Sequence, residues 1–305
     1  MYHFIVNPSS SSGRGLALWH QIEEKLRKQD KTYKVHYTKD GWHGARIARK
    51  IAMSEEAPVI VPLGGDGTVN EIINGIAGFD HVTFGYIPTG SSNDLARGLG
   101  LPGKPLKALD VILNPTKFVN LNVGCIRSGE KHRMFAGSAG IGFDAAVCYE
   151  VGHTPLKKVM NRFKLGKMIY VVIALKRVLF DKKVSADIVI DGVKKGHFNR
   201  MFFATVMNNG YEGGGLNLCP EARVDDGYLD VCVIADMARL KVAALLPTAY
   251  FGKHVAFKEV HIYRCREIDI RMESPLHVHA DGEDAGLHSH INVSYMGQNM
   301  RMISG

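Results

Sequence analysis

The chain has 305 residues, 46% of them hydrophobic and 22% charged, which is typical of a globular protein with room for two domains. No apolar run reaches the roughly 20 residues of a membrane-spanning helix, and the N-terminus lacks the basic start of a secretory signal, so we expect a cytoplasmic protein. The net charge of +8 favours an anionic partner, such as a nucleic acid, a membrane surface or a phosphorylated metabolite.

The first 115 residues alternate between strand and helix patterns. Strands are predicted over 3–6, 33–37, 59–63 and 82–87, and a helical pattern follows each of them. This alternation predicts a doubly wound parallel α/β domain, whose ligands bind beyond the carboxyl ends of the strands. Three loops rich in glycine, serine, threonine and asparagine lie at that edge, over 7–15, 64–70 and 88–94. Their coincidence predicts a binding site.

The most informative loop reads Gly64-Gly65-Asp66-Gly67-Thr68 and joins an apolar strand to a helical pattern. Glycines let the backbone approach an anion closely, and the first amides of a helix have no partners within it, so the loop is typical of a phosphate site. Thr68 and Glu71, like Ser91 and Asp94, have the spacing of a capping box. Asp66 indicates a metal ion beside the phosphates or a contact to a nucleotide hydroxyl. The alternative is a tight turn without a ligand.

Short alternating segments dominate the sequence after Pro115. Strand patterns occur at 118–123, 186–190, 200–207, 228–234, 260–263, 268–272, 277–280 and 291–295, and helical patterns near 143–151, 155–180 and 237–250. They predict a mainly antiparallel β-sandwich domain over 116–295, with a cleft between it and the α/β domain over 1–115. Residues 296–305 are a candidate to complete the N-terminal domain.

Two acidic turns lie in the second half. Asp226-Gly227 precedes a strand pattern, and Asp281-Gly282-Glu283 lies between two of them. Asp-Gly is ordinary hairpin chemistry, so either turn is compatible with a purely architectural role. As functional groups, Asp226 offers a hard oxygen ligand suited to Mg²⁺, and Glu283 offers a base for a hydroxyl group.

Five motifs occur in a fixed order, and a family resemblance depends on their combination. They are Asn7-Pro8, Gly64-Gly65-Asp66-Gly67-Thr68, Pro88-x-Gly90-x-x-Asn93-Asp94, Asp226-Gly227-x-Leu229-Asp230 and Asp281-Gly282-Glu283. On these the chain resembles the bacterial soluble diacylglycerol kinases, lipid kinases related to sphingosine and ceramide kinases and, more distantly, to NAD kinases. The resemblance implies Mg²⁺-dependent transfer of the γ-phosphoryl group of ATP to a hydroxyl of diacylglycerol or a related lipid.

The same resemblance implies roles for individual residues. Glu283 would be the general base, and Asp66 would lie near Mg²⁺ and the phosphates. A structural Mg²⁺ would be bound by Asp226 and by the backbone oxygens of Arg223 and Tyr228. ATP would contact Thr38, Gly64, Gly65, Asp66, Gly67, Thr68, Val69, Asn70 and Ser91.

One departure from the family keeps two alternatives open. Many members have an acidic residue where this chain has Asn122, and its loss would weaken a metal-linked carboxylate network. The alternatives are a soluble kinase of a small molecule such as NAD, and a non-catalytic regulator that binds a nucleotide or lipid. A nucleic-acid partner is not expected, because no recognisable binding motif is present.

A basic segment and four histidines complete the candidates. Residues 157–183 contain nine cations and one acid, Asp181, interleaved with apolar residues. The segment indicates peripheral contact with an anionic inner membrane surface, or else the solvated face of a helix that covers a sheet. His277, His279, His288 and His290 could converge on a metal or simply pack. A homodimer is compatible with the sequence.

Overall fold

A computed structural model describes residues 1–154 and 166–305. Its N-terminal part is a parallel sheet in the order β2-β1-β3-β4, with β5 also paired to β3. The strands are β1 Tyr2–Val6, β2 Tyr33–Tyr37, β3 Val59–Gly64, β4 Thr83–Phe84 and β5 Ile87–Pro88. The helices are α1 Ser10–Gly13, α2 Gly15–Lys28, α3 His43–Ser54, α4 Asp66–Ile76, α5 Asp94–Gly98 and α6 Pro105–Leu113.

Alternate residues of β1 show that the sheet is covered on both faces. Phe4 and Val6 pack in one core with Trp19 and Leu109 from α2 and α6, whereas Ile5 packs in a second core with residues of α3 and α4. Successive side chains of a strand point to opposite faces, so helices cover both sides. The predicted doubly wound α/β domain is confirmed.

The second part is mainly antiparallel and forms a β-sandwich-like domain. Its strands are β6 Phe118–Ser128, β7 Lys131–Phe135, β8 Ser138–Gly142, β9 Val184–Ile190, β10 Val193–Met207, β11 Tyr211–Glu212, β12 Leu216–Asn217, β13 Leu229–Ala235, β14 Val260–Cys265, β15 Glu267–Ala280 and β16 Glu283–Ile303. The helices are α7 Phe143–His153, α8 Gly166–Phe180 and α9 Arg239–Ala249, with a 3₁₀ turn at Lys253–Ala256. The predicted fold of this half is confirmed as well.

The long strand β16 connects the two sheets. Its first half pairs antiparallel with β15, and its end pairs antiparallel with β6. At that end Arg301 and Met302 also pair in parallel with Thr83 and Phe84 of β4. The chain therefore returns to the N-terminal sheet after passing through the second domain.

Several predicted boundaries differ from the structure. The predicted strand 82–87 is divided into β4 and β5. Of the predicted helix 155–180, residues 155–165 lie outside the described part, and α8 begins at Gly166. Among the helices of the described ranges, none is long and apolar enough to cross a bilayer.

Both predicted capping boxes are wrong. Helix α4 begins at Asp66, two residues before Thr68, with Gly65 as its N-cap and no capping side chain. Thr68 Oγ1 instead accepts a hydrogen bond from Asn7 (3.2 Å), and Glu71 accepts one from the Gly44 amide (3.2 Å). Helix α5 is preceded by Asn93 in the left-handed region, also without a side-chain cap.

Candidate active site

Two strand-to-helix loops meet at the carboxyl edge of the N-terminal sheet. The loop after β3 carries Gly65, and the loop after β5 carries Gly90. A Cβ on Gly65 would lie 3.1 Å from the Gly90 Cα, and one on Gly90 would lie 2.6 Å from the Gly65 Cα. The glycines therefore permit a backbone approach that a side chain at Gly90 would block.

Asp66 lies partly buried between these loops. Its Oδ2 accepts a hydrogen bond from the Asn93 amide (2.8 Å), whereas its buried Oδ1 has no hydrogen-bond partner. Burial, together with the charges of Asp94 and Asp281, raises the pKa of Asp66 to about 7. An unsatisfied buried carboxylate oxygen fits a cation or a hydroxyl donor at this point.

The loops border two adjoining cavities. The larger one, of about 1010 Å³, lies against the N-terminal domain and is lined by Asn7, Ser10, Arg14 and Thr68 among others. The smaller one, of about 510 Å³, extends towards α7 and α8 and is lined by Asp66, Tyr149, His153 and Tyr170 among others. Gly65, Gly67, Gly90, Ser91 and Glu283 line both. Together the cavities form the predicted cleft.

The turn between β15 and β16 is fastened to both domains through Asp281. Its Oδ1 accepts the amides of Gly137 (2.8 Å) and Ser138 (3.0 Å) in the second domain. Its Oδ2 accepts the Ala136 amide (3.1 Å) and the side-chain amide of Asn70 in α4 (2.8 Å). Asp281 thus positions the residue two places further on, Glu283, relative to the glycine loop.

Glu283 lies directly against the glycine loop. A Cβ on Gly67 would come within 2.6 Å of Glu283 Oε1, so a larger residue there would force this carboxylate to move. Since Glu283 and Asp66 line the same cavity, a carboxylate of the second domain faces the glycine loop of the first. The turn needs left-handed backbone at Asp281 (φ 50°) and Gly282 (φ 78°), which Asp and Gly tolerate.

A buried histidine is hydrogen-bonded to the turn between β15 and β16. His279 Nδ1 accepts a hydrogen bond from the Gly282 amide (3.1 Å), and its Nε2 lies 3.2 Å from Asp144 Oδ2 and 3.0 Å from Glu212 Oε1. Because Nδ1 accepts, the ring proton resides on Nε2, between the two carboxylates. A protonated nitrogen does not ligate a metal, so these three residues form a hydrogen-bonded support despite the spacing of their ligand atoms.

The predicted nucleotide-binding residues divide into two groups. Gly65, Gly67, Thr68 and Ser91 line the larger cavity, and Asp66 and Val69 line the smaller one. Thr38, Gly64 and Asn70 are not among the described residues that line either cavity. Asn70 is fully buried and contacts Asp281, Arg133 and the Met134 carbonyl. Its contacts indicate a structural role between the domains.

The turn at Asp226 does not fit the predicted structural Mg²⁺. Arg264 Nη2 lies 2.7 Å from Asp226 Oδ2, a charge-assisted pair that occupies one carboxylate oxygen. The Asn122 amide nitrogen lies 3.5 Å from Asp226 Oδ1 and 3.3 Å from the Tyr228 carbonyl oxygen. The carboxylate and the Tyr228 carbonyl assigned to the metal thus face side-chain donors. These contacts do not favour the expected ligand set of Arg223, Asp226 and Tyr228, which stays a prediction.

The four histidines do not share a site. His277 stacks on Tyr149 with ring centroids 4.4 Å apart, His288 contacts the Ala285 carbonyl (3.0 Å), and His290 contacts Asp269 (2.6 Å). His279 belongs to the cluster with Asp144 and Glu212 beside the turn between β15 and β16. Each ring has its own partners, so the contacts do not support joint metal binding.

Arg133 is a site residue that the sequence did not indicate. It lines the larger cavity, donates two hydrogen bonds to Asn70 Oδ1 (2.9 and 2.7 Å), and lies over the Trp42 ring at 4.9 Å. Burial lowers its pKa, although the nearby carboxylates of Glu283 and Asp281 counteract that shift. A cation of the second domain therefore lies beside the glycine loop. It is part of no motif, so only the fold reveals it.

Comparison with protein families identifies two matches that follow one another along the chain. Residues 1–123 match the model described as "Diacylglycerol kinase catalytic domain". Residues 137–302, more than half of the chain, match the "YegS C-terminal NAD kinase beta sandwich-like domain".

Individual proteins and solved structures are also similar to this chain. The chain is 27% identical to YtlR, a candidate lipid kinase of Bacillus subtilis, over 93% of this chain and 94% of that protein. It is 28% identical to a diacylglycerol kinase of Mycobacterium tuberculosis, over 92% of this chain and 88% of the relative. Its fold is similar to a diacylglycerol kinase structure from Bacillus anthracis (TM-score 0.73, 21% identity, 100% and 96% covered). It is also similar to an ATP-bound NAD kinase from Archaeoglobus fulgidus (TM-score 0.53, 13% identity, 99% and 93% covered).

Proposed function

The chain belongs to the diacylglycerol kinase family with a YegS-type C-terminal domain, and from this premise we propose that it transfers the γ-phosphoryl group of ATP to a lipid hydroxyl. Relatives named as diacylglycerol kinases and a candidate lipid kinase support the lipid as acceptor class. Diacylglycerol or a related lipid is the proposed substrate. The observation that carries the proposal is Glu283 lying against Gly67 beside Asp66.

The step requires a base and a phosphate cradle on opposite sides of the acceptor hydroxyl. Glu283 takes the hydroxyl proton, while the hydroxyl oxygen forms a bond to the γ-phosphorus and the bond from that phosphorus to the β,γ-bridging oxygen breaks, releasing ADP. The amides at the start of α4 and the loop around Gly90 hold the phosphates. Phosphoryl transfer depends mainly on positioning and charge neutralisation, so this set is sufficient.

Mg²⁺ belongs to the proposal at the Asp66 side of the cleft. When bound with ATP it neutralises phosphate charge, and the unsatisfied Oδ1 of Asp66 is the group of this chain that suits it. The Asp226 turn is left out of this role because of its contacts with Arg264 and Asn122.

The test is phosphate transfer from labelled ATP to a panel of lipids and to NAD, with Mg²⁺ present. Incorporation into a lipid is expected. Incorporation only into NAD would indicate the soluble small-molecule kinase, and nucleotide binding without transfer would indicate the regulator.

Glu283→Gln tests the base directly. We expect this variant to lose about 10²- to 10⁴-fold in turnover, the usual contribution of general-base catalysis, while its affinity for ATP changes little. Asp284→Asn is the matched control, because Asp284 lines both cavities and its loss removes one negative charge without removing the base. Turnover by Glu283→Gln equal to that of the control would show that another group takes the proton.

The protein is also proposed to work at the inner membrane surface as a peripheral enzyme. The basic segment over 157–183 first suggested this, but residues 155–165 lie outside the described part. In the described remainder, Lys176 and Arg177 form ion pairs with Glu150, at 2.7 Å each. These two cations hold α8 to α7. Other residues are therefore needed to account for the proposed binding to the membrane.

A further inference from the structure

Helix α8 exposes an apolar stripe to solvent. Ile169 and Ile173 are buried against the domain, whereas Val171, Val172, Leu175 and Leu179 are exposed, with Val172 at 58%. These four positions fall within roughly 100° of the helix circumference. A surface helix normally presents polar residues on that side, so an apolar exposed stripe indicates a second apolar environment.

Helix α9 and the turn after it expose a second stripe. Leu240 and Phe251 are each 77% exposed, and Ala244, Pro247 and Tyr250 are exposed between them. The spacing of 4 and 3 residues places Leu240, Ala244 and Pro247 on one side of the helix, and Phe251 follows in the turn after it. The opposite side is buried through Val242, Leu245 and Ala249. Both helices thus have apolar residues facing inwards and outwards.

The two stripes share one surface beside the cleft. Arg239 at the start of α9 donates to the carbonyls of Val178 (3.0 Å) and Leu179 (2.6 Å) at the end of α8. At the opposite end, Val171 of α8 and Tyr250 after α9 line the larger cavity. The helices therefore run in opposite directions, and the exposed stripes reach the mouth of the cleft.

The charges around this surface suit a lipid bilayer. The described charged side chains of α8 and α9 are cations: Lys176, Arg177, Arg239 and Lys241. Lys176 and Arg177 pair with Glu150, and Lys241 pairs with Glu259. Lys253 and Lys258 follow Phe251 and are exposed. A face of apolar side chains with exposed cations at its border complements acyl chains beneath anionic headgroups.

We propose that α8, α9 and Phe251 form a face that inserts into the lipid bilayer and opens the cleft onto its surface. The proposal rests on the proposed lipid kinase function for its purpose, because a lipid hydroxyl has to reach Glu283 from the membrane. In this proposal the main source of membrane binding is the insertion of apolar side chains. Electrostatic attraction by the basic segment 157–183 is no longer the main source. Binding is then retained on neutral vesicles and in about 0.5 M salt, where surface charges are screened.

Flotation with phosphatidylcholine vesicles, with and without phosphatidylglycerol, tests the face. The double variant Leu240→Ser/Phe251→Ser is expected to bind at least tenfold more weakly to both kinds of vesicle. Met53→Ser/Val193→Ser is the matched control, since Met53 and Val193 are exposed apolar residues elsewhere on the surface. Equal vesicle binding by the wild type and both double variants would overturn the proposal, as would binding by the wild type that requires phosphatidylglycerol and disappears in high salt.

A fluorescence measurement covers the case in which the double variant folds poorly. Phe251→Trp is expected to shift its emission to shorter wavelength on addition of phosphatidylcholine vesicles, and Met53→Trp, at a site 70% exposed, is expected not to. No shift for Phe251→Trp would overturn the proposal. So would a dimer in solution that dissociates in Leu240→Ser/Phe251→Ser and binds no vesicle, because the face would then hold a second copy of the chain.

Failure of the face and failure of the kinase assignment give different results. If a dispersed short-chain lipid is phosphorylated but vesicles are not bound, the face is wrong and the kinase assignment stands. If vesicles are bound through Phe251 and no lipid is phosphorylated, the face stands and the kinase assignment is wrong.

Discussion

At the scale of single residues, Asp66 combines burial with an incomplete set of hydrogen bonds. One carboxylate oxygen is bonded to the Asn93 amide, and the other has no partner. Removing a carboxylate from water favours its neutral form, and the charges of Asp94 and Asp281 add to the effect. Asp66 is therefore costly to ionise until a cation or donor arrives, which is typical of a functional residue.

The pKa of Asp66 makes stability depend on pH in a defined direction. Between its ordinary value of 3.8 and about 7, the folded protein keeps a proton that the unfolded chain has lost, so stability falls as pH rises. Asp66→Asn cannot ionise. Its free energy of unfolding relative to wild type should therefore rise between pH 4 and pH 8, by up to about 4 kcal/mol. Urea denaturation without nucleotide or metal measures this, and a difference that is constant with pH would contradict it.

Sequence could predict which motif residues line the cleft but not all of the contacts that hold them. Asp66, Ser91 and Glu283 belong to short motifs, and all of them line the cavities. The contact of Asn70 with Asp281 joins residues 211 positions apart, and no local pattern encodes it. Arg264 likewise gives no sign in the sequence that it would pair with Asp226.

At the scale of elements, the Asp226 turn is closed by side chains. Asn122 from β6 also accepts the Gly227 amide through Oδ1 (3.2 Å), and Arg264 from β14 stacks over Tyr228 at 4.4 Å. A neutral amide and a guanidinium thus stand where the resemblance implied a carboxylate network around a metal. The replacement of one acidic residue by Asn122 fits this arrangement, because the amide donates where a carboxylate could only accept.

Metal titration distinguishes the two forms of the turn. The thermal midpoint of the wild type is expected to be the same in EDTA and in about 5 mM Mg²⁺, because no ligand set is free at this turn. Asn122→Asp/Arg264→Gln should acquire a dependence on Mg²⁺ that approaches about 2.7 kcal/mol at a concentration 100 times its Kd. Arg264→Gln alone is the control. A rise of the wild-type midpoint with Mg²⁺ that Asp226→Asn abolishes would restore the metal site.

At the scale of the whole molecule, β16 makes the two domains dependent on each other. Met302 is fully buried in the core of the N-terminal domain, and Ile291 of the same strand is fully buried in the core of the second. The sequence suggested that residues 296–305 complete the first domain, and the structure pairs Arg301 and Met302 with β4. The boundary predicted near Pro115 is therefore crossed again by the strand that begins at Glu283.

Met302→Ala tests this dependence. Truncating a buried methionine costs about 2–5 kcal/mol, and the loss should lower a single unfolding transition of the whole chain. Leu287→Ala on the same strand is the control, because Leu287 is exposed. Calorimetry that resolves two transitions, with only the first lowered by Met302→Ala, would show that the domains unfold independently.

The pairing of β16 with β4 also bears on the order in which the protein is made. The ribosome synthesises β4 more than 200 residues before its partner at Met302. Until then the nascent N-terminal sheet presents an open edge at Thr83 and Phe84, which pair with Val59 and Ile60 at the amino end of β3. Such an edge invites pairing with other chains, and contacts this distant in sequence form slowly. This edge of the N-terminal sheet is thus paired only after translation has passed Met302.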